Sequence, residues 1–373
     1  MDFSFSAEQR ELGGVVRSFL GRHWAETEVR RLLDDPLGWD RATWRRLAIE
    51  LGLQGLAVPE RFGGSGFGPV ELGVVFEELG RALAGGPFLA SVGLATTALL
   101  ASGDEEACER YLPGLAAGEQ VATLALTEDD GSWDIDDVAT RAAKGPGGWE
   151  LTGVKNYVLD GCSADLLLVV ARSTAGVGLF AVDAAGAGTT LERTPLTTFD
   201  PTRRQARVEL RATPARLVGT DGGGTAAVEQ ALRTGAVLLA AEQVGIAAWA
   251  LDTAVAYSGI REQFGRPIGS FQAIKHKCSD MLLRLEGARS ASAFALWAAA
   301  ERPAELPQAA AIAKSYCSEA ASFCAGQCLQ VHGGIGFTWE HPTHLYLKRA
   351  KSAESLLGSP ARHRAELARL AGF

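Results

Sequence analysis

The run from Thr225 to Ser258, TAAVEQALRTGAVLLAAEQVGIAAWALDTAVAYS, contains no proline and carries Ala, Leu and Val on several faces of a helix. Apolar residues recurring at helical spacing over such a length predict one long helix, and small residues on many faces predict burial on more than one side. Similar runs at about 271–300 and 304–331 predict two further long helices. Just upstream, Gly219 to Gly224 forms a Gly-rich connection without the Lys-Ser/Thr of a nucleotide P-loop, so it reads as a linker.

Working back towards the start, residues 121–217 change character. Short β-branched and apolar runs (Trp149 to Val154, Leu166 to Val170, Gly178 to Val182, Arg207 to Leu210) are separated by Gly, Asp and Pro, the pattern of a small β domain. Before it the chain reads as helices. Ser6-Ala7-Glu8-Gln9 is a capping box, followed by apolar positions Leu12, Val15, Val16, Phe19 and Leu20. A second helix is expected near Trp39 to Leu51, closed by Gly52, and a third from Val70 to Leu83, after a Gly- and Pro-rich interruption. The order helices, strands, helices predicts an α+β chain. Its expected parts are a helical N-terminal domain (1–118), a small barrel-like middle β domain (119–220) and a C-terminal four-helix-bundle domain (221–373).

With 47% hydrophobic and 21% charged residues the chain has the composition of a folded protein, which excludes disorder as its main state. A formal charge of -8 argues against charge-driven capture of nucleic acid or an anionic membrane. Runs such as Ala236 to Ala241 and Ala309 to Ala313 fall short of the roughly 18–20 residues that span a bilayer. The first six residues lack a basic and apolar leader pattern. A soluble, cytoplasmic protein is therefore expected.

Six cysteines in such a chain read as reduced thiols. Cys317, Cys324, Cys328 and His332 share a helical face, the one arrangement that suggests a metal cluster, but small thiols also pack well on an Ala-rich buried helix. Packing is the expectation, and no metal is assigned.

Three segments carry more than composition. Arg261-Glu262-Gln263-Phe264-Gly265, followed by Gln272, resembles the Arg-x-x-Phe-Gly…Gln signature of the acyl-CoA dehydrogenase family. Gln330-Val331-His332-Gly333-Gly334-Ile335-Gly336-Phe337 resembles that family's Gln-x-x-Gly-Gly-x-Gly-aromatic loop, and Thr127-Glu128 resembles the start of its flavin loop. The domain order matches over nearly the whole chain. Such enzymes remove a proton beside a thioester carbonyl with a carboxylate while hydride passes to FAD. The resemblance implies FAD as cofactor, with Arg261, Phe264, Gln272, Gln330, Gly333 and Gly334 serving its ADP half, across an interface with a neighbouring subunit. A guanidinium and exposed glycine backbone suit a pyrophosphate, and an aromatic ring suits the adenosine.

Elsewhere the sequence departs from the family. Its flavin loop reads Thr-Glu-Pro-x-Ala-Gly-Ser-Asp, against Thr127-Glu128-Asp129-Asp130-Gly131-Ser132-Trp133-Asp134 here. The run matching Gly-x-Lys-x-Trp-Ile-Thr is Gly153 to Leu159, so Leu159 replaces a hydrogen-bonding threonine, while Tyr157 reads equally as a stacking or a core ring. The family's base is a glutamate in one of two places, which fall here on Leu357 and Gly235. No catalytic residue is assigned. Glu354 and Glu242 could each be proposed as a relocated base, but they are displaced by about 4.5 and 10 Å along a helix, beyond direct proton-transfer reach. His276 reads as a packing or surface residue, and Trp339-Glu340-His341 is given no chemistry.

The resemblance is strongest to the subunit that lacks the base in bacterial heterotetrameric acyl-CoA dehydrogenases acting on steroid side-chain CoA thioesters. It implies a paralogous partner carrying the glutamate, an α2β2 assembly, an acyl-CoA substrate and an electron-transfer partner, with the isolated chain inactive. A homo-oligomer using Glu354 or Glu242, oxygen-dependent flavin chemistry and a non-enzymatic scaffold remain as alternatives.

Overall fold

The computed structural model describes residues 5–145 and 147–373; most of the leader reading above falls on residues 1–4, outside them. In chain order, helices α1 (Ala7–His23), α2 (Glu26–Leu33), α3 (Arg41–Leu51), α4 (Pro69–Arg81), α5 (Thr96–Ala101) and α6 (Glu105–Ala116) come first. Strands β1 (Ala122–Ala125), β2 (Arg141–Gly145), β3 (Gly148–Leu159), β4 (Leu166–Arg172), β5 (Val177–Asp183), β6 (Leu191–Pro195) and β7 (Gln205–Val218) follow. Then come α7 (Thr225–Ile260), a hairpin of β8 (Glu262–Gln263) and β9 (Arg266–Pro267), α8 (Gln272–Glu301), α9 (Leu306–His332), α10 (Thr343–Ser355) and α11 (Pro360–Leu370).

Local chemistry explains the helix ends. Ser6 accepts from the Gln9 amide while the Gln9 side chain accepts from the Ser6 amide, closing the capping box of α1. Asp40 caps α3 by accepting from Thr43 N at 2.7 Å, and Gly52, at φ +64°, ends it. The long Ala/Leu run is one helix, α7. Although its uninterrupted apolar runs are short, α7 as a whole is long and apolar enough to cross a bilayer; 94% of its most apolar window is buried within the protein, so it is a core helix.

The described residues form two compact units. One collects the chain up to Arg30, Pro69–Ala84 and Ala236–Phe373; the other collects Arg31–Gly68 and Gly85–Gly235. This partition cuts across the chain-order segments 1–118, 119–220 and 221–373. In the first unit α1 and α4 join the C-terminal helices in one body. Paired glycines give the physical reason for α4. A Cβ on Gly80 would lie 2.0 Å from the Glu242 carbonyl oxygen, and one on Gly245 would lie 1.9 Å from that of Glu77. Backbone meets backbone where α4 crosses α7, which only glycine permits.

In the second unit β1 pairs in parallel with β4, whereas β4 with β5, β5 with β7, β7 with β3, and β3 with β2 are antiparallel; β6 adds to β7. The expected middle β domain is thus a seven-stranded sheet. The pairing that would close it as a barrel, β2 with β4, is the single pair Arg141 and Arg172, so it is described as a sheet. Leu167, Val169, Phe180, Val208 and Leu210 form its core. Gly219 to Gly224 is a packed corner rather than a loose linker: Gly224 N donates to Val177 O at 2.9 Å, and Gly219 N to Asp104 at 2.9 Å.

Candidate active site

The ADP-side residues expected from the sequence lie in the first unit, around one corner. At the end of α7, Arg261 N donates to Tyr257 O, and the Tyr257 ring stacks on His332 at 4.2 Å between centroids. His332 ends α9 and leads into Gly333 and Gly334. The stack therefore brings the neighbourhoods of Arg261 and of the Gly-Gly loop together, a contact between distant segments that no local sequence pattern announces. Arg261, Gln272 and Gln330 are exposed. Phe264 sits in the β8–β9 turn at φ +54°, with 93% of its surface exposed. A bulky residue in the left-handed region is strained, and burial within this chain does not offset the strain.

The two glycines differ in an informative way. Gly333 has φ +62°, which favours glycine on backbone grounds. Gly334 has no such φ, and a Cβ built on it meets nothing within 4 Å. Neither backbone conformation nor packing among the described residues requires glycine at 334. His332 donates through Nδ1 to Cys328 O at 2.7 Å, leaving Nε2 buried and without a hydrogen-bond partner among the described residues. Burial lowers the His332 pKa despite that carbonyl, and burial followed by the nearby His332 lowers that of His341, whose ring lies 4.3 Å away.

The flavin-loop segment lies in the second unit and is bound up internally. Thr127 Oγ1 donates to Asn156 O at 2.5 Å, and Asn156 N returns a bond to Thr127 O at 2.8 Å. The Glu128 carboxylate receives Lys155 Nζ at 2.8 Å, Thr140 Oγ1 at 2.7 Å and the amides of Ala139 and Thr140. Burial raises the Glu128 pKa, but Lys155 and Thr140 outweigh it and leave the group below its ordinary value. Burial pulls Lys155 down to about 8 against the opposing pull of Glu128. Asp129 pairs with Arg207, and Ser132 donates to Asp137. Tyr157 is not a core ring: it occupies a bulge of β3 at φ +56°, 41% exposed, beside Gly131. Leu159 is buried, and its carbonyl accepts from Thr123.

Neither base position carries a carboxylate. Gly235 is buried in α7. Leu357 is buried too, at φ +58°, followed by Gly358 at φ +99°. Because α10 ends at Ser355, a helical rise does not describe the step from Glu354 to Leu357. Both neighbouring carboxylates are engaged. Glu242 accepts from Arg349 at 3.0 Å, both side chains being buried, and Arg349 also donates to Ala84 O. Glu354 accepts from Ser322 at 2.6 Å and Lys351 at 2.9 Å; burial raises its pKa, and these two partners more than reverse that. The buried Lys314 ammonium donates to the carbonyls of Glu354 and Gly358, while the His363 ring meets Leu357 O at 2.9 Å. Burial drives the His363 pKa down to about 4.

The thiols that suggested a metal face are packing groups. Cys317 and Cys324 donate to the carbonyls of Ala288 and Met281 across the α8–α9 contact, and burial pushes Cys317, Cys324 and Cys328 up to about 12. Thiols raised this far stay protonated near neutral pH.

Comparison with known proteins agrees with this architecture. The profiles of the acyl-CoA dehydrogenase N-terminal, middle and C-terminal domains match residues 6–119, 123–210 and 222–371. The chain belongs to the acyl-CoA dehydrogenase family, whose cofactor is FAD. It is 35% identical over 353 residues to acyl-CoA dehydrogenase IpdE2 of Mycobacterium tuberculosis, covering 95% of this chain and 94% of that one. It is 33% identical to acyl-CoA dehydrogenase FadE27 of the same organism, covering 96% and 95%. Among solved structures, a variant of the Tcur3481-Tcur3483 steroid ACAD matches with TM-score 0.86 and 32% identity over 98% of this chain and 97% of that chain. The ChsE4-ChsE5 complex from Mycobacterium tuberculosis matches with TM-score 0.90 and 31% identity over the whole of both chains.

The residues present fit one end of FAD. An exposed guanidinium, bare backbone at Gly334 and a largely exposed Phe264 ring, edge-on to Phe271 at 6.0 Å between centroids, suit a diphosphate and its adenosine.

Proposed function

We propose that this chain is the subunit without the catalytic base in a cytoplasmic, heteromeric FAD-dependent acyl-CoA dehydrogenase that introduces an α,β double bond into a steroid side-chain CoA thioester. The observation that carries this reading is the state of the carboxylates: Leu357 and Gly235 stand at the two base positions, and Glu242 and Glu354 are committed to Arg349 and to Ser322 with Lys351. A paralogous partner in an α2β2 assembly supplies the glutamate that takes the α-proton. Bound FAD supplies the hydride acceptor. Arg261, Phe264, Gln272, Gln330, Gly333 and Gly334 hold the ADP end and orient it towards the partner's ring site. An electron-transfer protein reoxidises the flavin.

Two of the solved relatives are described as a steroid enzyme and as a two-component complex, which supports both the substrate class and the heteromeric assembly. The test is separate purification of this chain and its partner, followed by FAD stoichiometry and a CoA-thioester assay of each and of the mixture. Activity and full FAD content are expected only in the mixture; complete turnover by this chain alone overturns the proposal.

A further inference from the structure

The first unit holds a cleft of about 850 Å³, within the size range of small-molecule sites. Its walls come from α1, α4, α7 and α8, and Val74, Val244, Phe294 and Leu296 are among its apolar wall residues. Phe294 is backed by Trp297, with ring centroids 6.2 Å apart. Counted along the helices at about 1.5 Å per residue, Glu286 of the cleft stands about 21 Å beyond Gln272 on α8, and Val244 about 20 Å before Tyr257 on α7. These walls are therefore remote from the flavin corner.

Three arginines and three glutamates also line the cleft. Arg17 donates to Glu78 through Nε at 2.8 Å and Nη2 at 2.6 Å, and Arg289 pairs with Glu286 at 2.5 Å. Arg10 is exposed and donates to Phe5 O at 2.6 Å. Glu77, on α4, has neither a hydrogen bond nor an ion pair among the described residues. It is half-buried, so its oxygens stay open to solvent rather than sealed in the core. Burial raises its pKa, and the opposing charge of Arg289 does not bring it back to the ordinary value. Arg289, Glu78 and Arg17, which act on that charge, are themselves wall residues, so the carboxylate lies on the cleft side of α4. With the other wall charges matched or exposed, what the inner wall lacks is a cation, and the apolar residues around Glu77 call for one that carries an apolar body.

We infer that this cleft binds an organic ammonium, its charged nitrogen donating to Glu77 and its apolar skeleton lying against Val74, Phe294 and Leu296.

The test uses the full chain and two probes of one skeleton, 2-phenylethylammonium and 2-phenylethanol, the second lacking the charge. Affinity is followed by ligand-observed NMR titration, and position by crystals soaked in the amine. The expected result is amine density in the cleft with its nitrogen within hydrogen-bond reach of a Glu77 carboxylate oxygen. The alcohol should bind at least about ten-fold more weakly, and Glu77→Gln should lose amine affinity by a similar factor. Amine binding no stronger than that of the alcohol, or an empty cleft at saturating amine, overturns the inference without recourse to the variant. Undiminished amine affinity in Glu77→Gln with an unchanged circular-dichroism spectrum overturns it as well.

Discussion

Arg349 Nη1 lies 3.0 Å from Glu242 Oε1, with both side chains almost wholly withdrawn from solvent. Removing one member of such a pair leaves the other buried and uncompensated, at a cost of about 3–5 kcal/mol. Arg349→Met is therefore expected to lower the urea midpoint sharply. Glu242→Gln, per folded molecule in the proposed two-component enzyme, is expected to leave turnover within about two-fold, because the residue holds a structure and not a proton. A collapse of turnover at unchanged stability would instead identify Glu242 as a relocated base.

For Glu354 the distinguishing variable is pH. Its partners keep its pKa below the ordinary carboxylate value, so its contribution to stability is present above the unfolded-state pKa and lost as pH falls through the folded-state one. Wild type and Glu354→Gln should differ by up to about 1 kcal/mol at pH 7, and the gap should narrow in acid. Parallel urea titrations at neutral and acidic pH measure it; a gap that widens in acid contradicts the assignment.

His363 titrates in a different window. With its folded-state pKa near 4 and an ordinary value of 6.5, protonation favours the unfolded chain. The neutral ring's contribution is complete above about pH 6.5 and declines towards pH 4, by at most about 3 kcal/mol and by less because the side chain keeps some contact with water. In His363→Gln this part of the pH dependence should disappear, as followed by denaturation midpoints between pH 7 and pH 4.5.

Gly334→Ala and Phe264→Ser separate cofactor contact from folding. The added methyl at 334 meets nothing in this chain, and Phe264 is exposed, so each variant should match wild type in stability within about 0.5 kcal/mol. Both should retain FAD about ten-fold more weakly in the proposed two-component enzyme, read from flavin absorbance after dialysis. Unchanged flavin retention in both would remove these residues from the cradle.

The sequence exposed what repeats along the chain and hid what depends on distant neighbours. Periodicity and capping chemistry were sufficient for α1, α3, α4 and the three long helices, because those signals lie within a few residues of one another. Strands β1, β2 and β6 carry no such signal: β1 is four residues buried on both faces, so it does not alternate, and Arg141–Gly145 and Leu191–Pro195 are short and polar. The residues that resemblance assigns to the ADP half of FAD are legible as motifs, but the convergence of their neighbourhoods through Tyr257 and His332 is not. The absence of glutamate at 357 and 235 could be read directly, whereas the engagement of Glu242 required Arg349, more than a hundred residues away, to be placed beside it.

Cys317, Cys324 and Cys328 lie sealed along α9 with their thiols firmly protonated. An alkylating reagent can reach them only when that helix leaves its neighbours. A short maleimide pulse followed by mass spectrometry would thus time the opening of this region, with three natural reporters already built into the polypeptide.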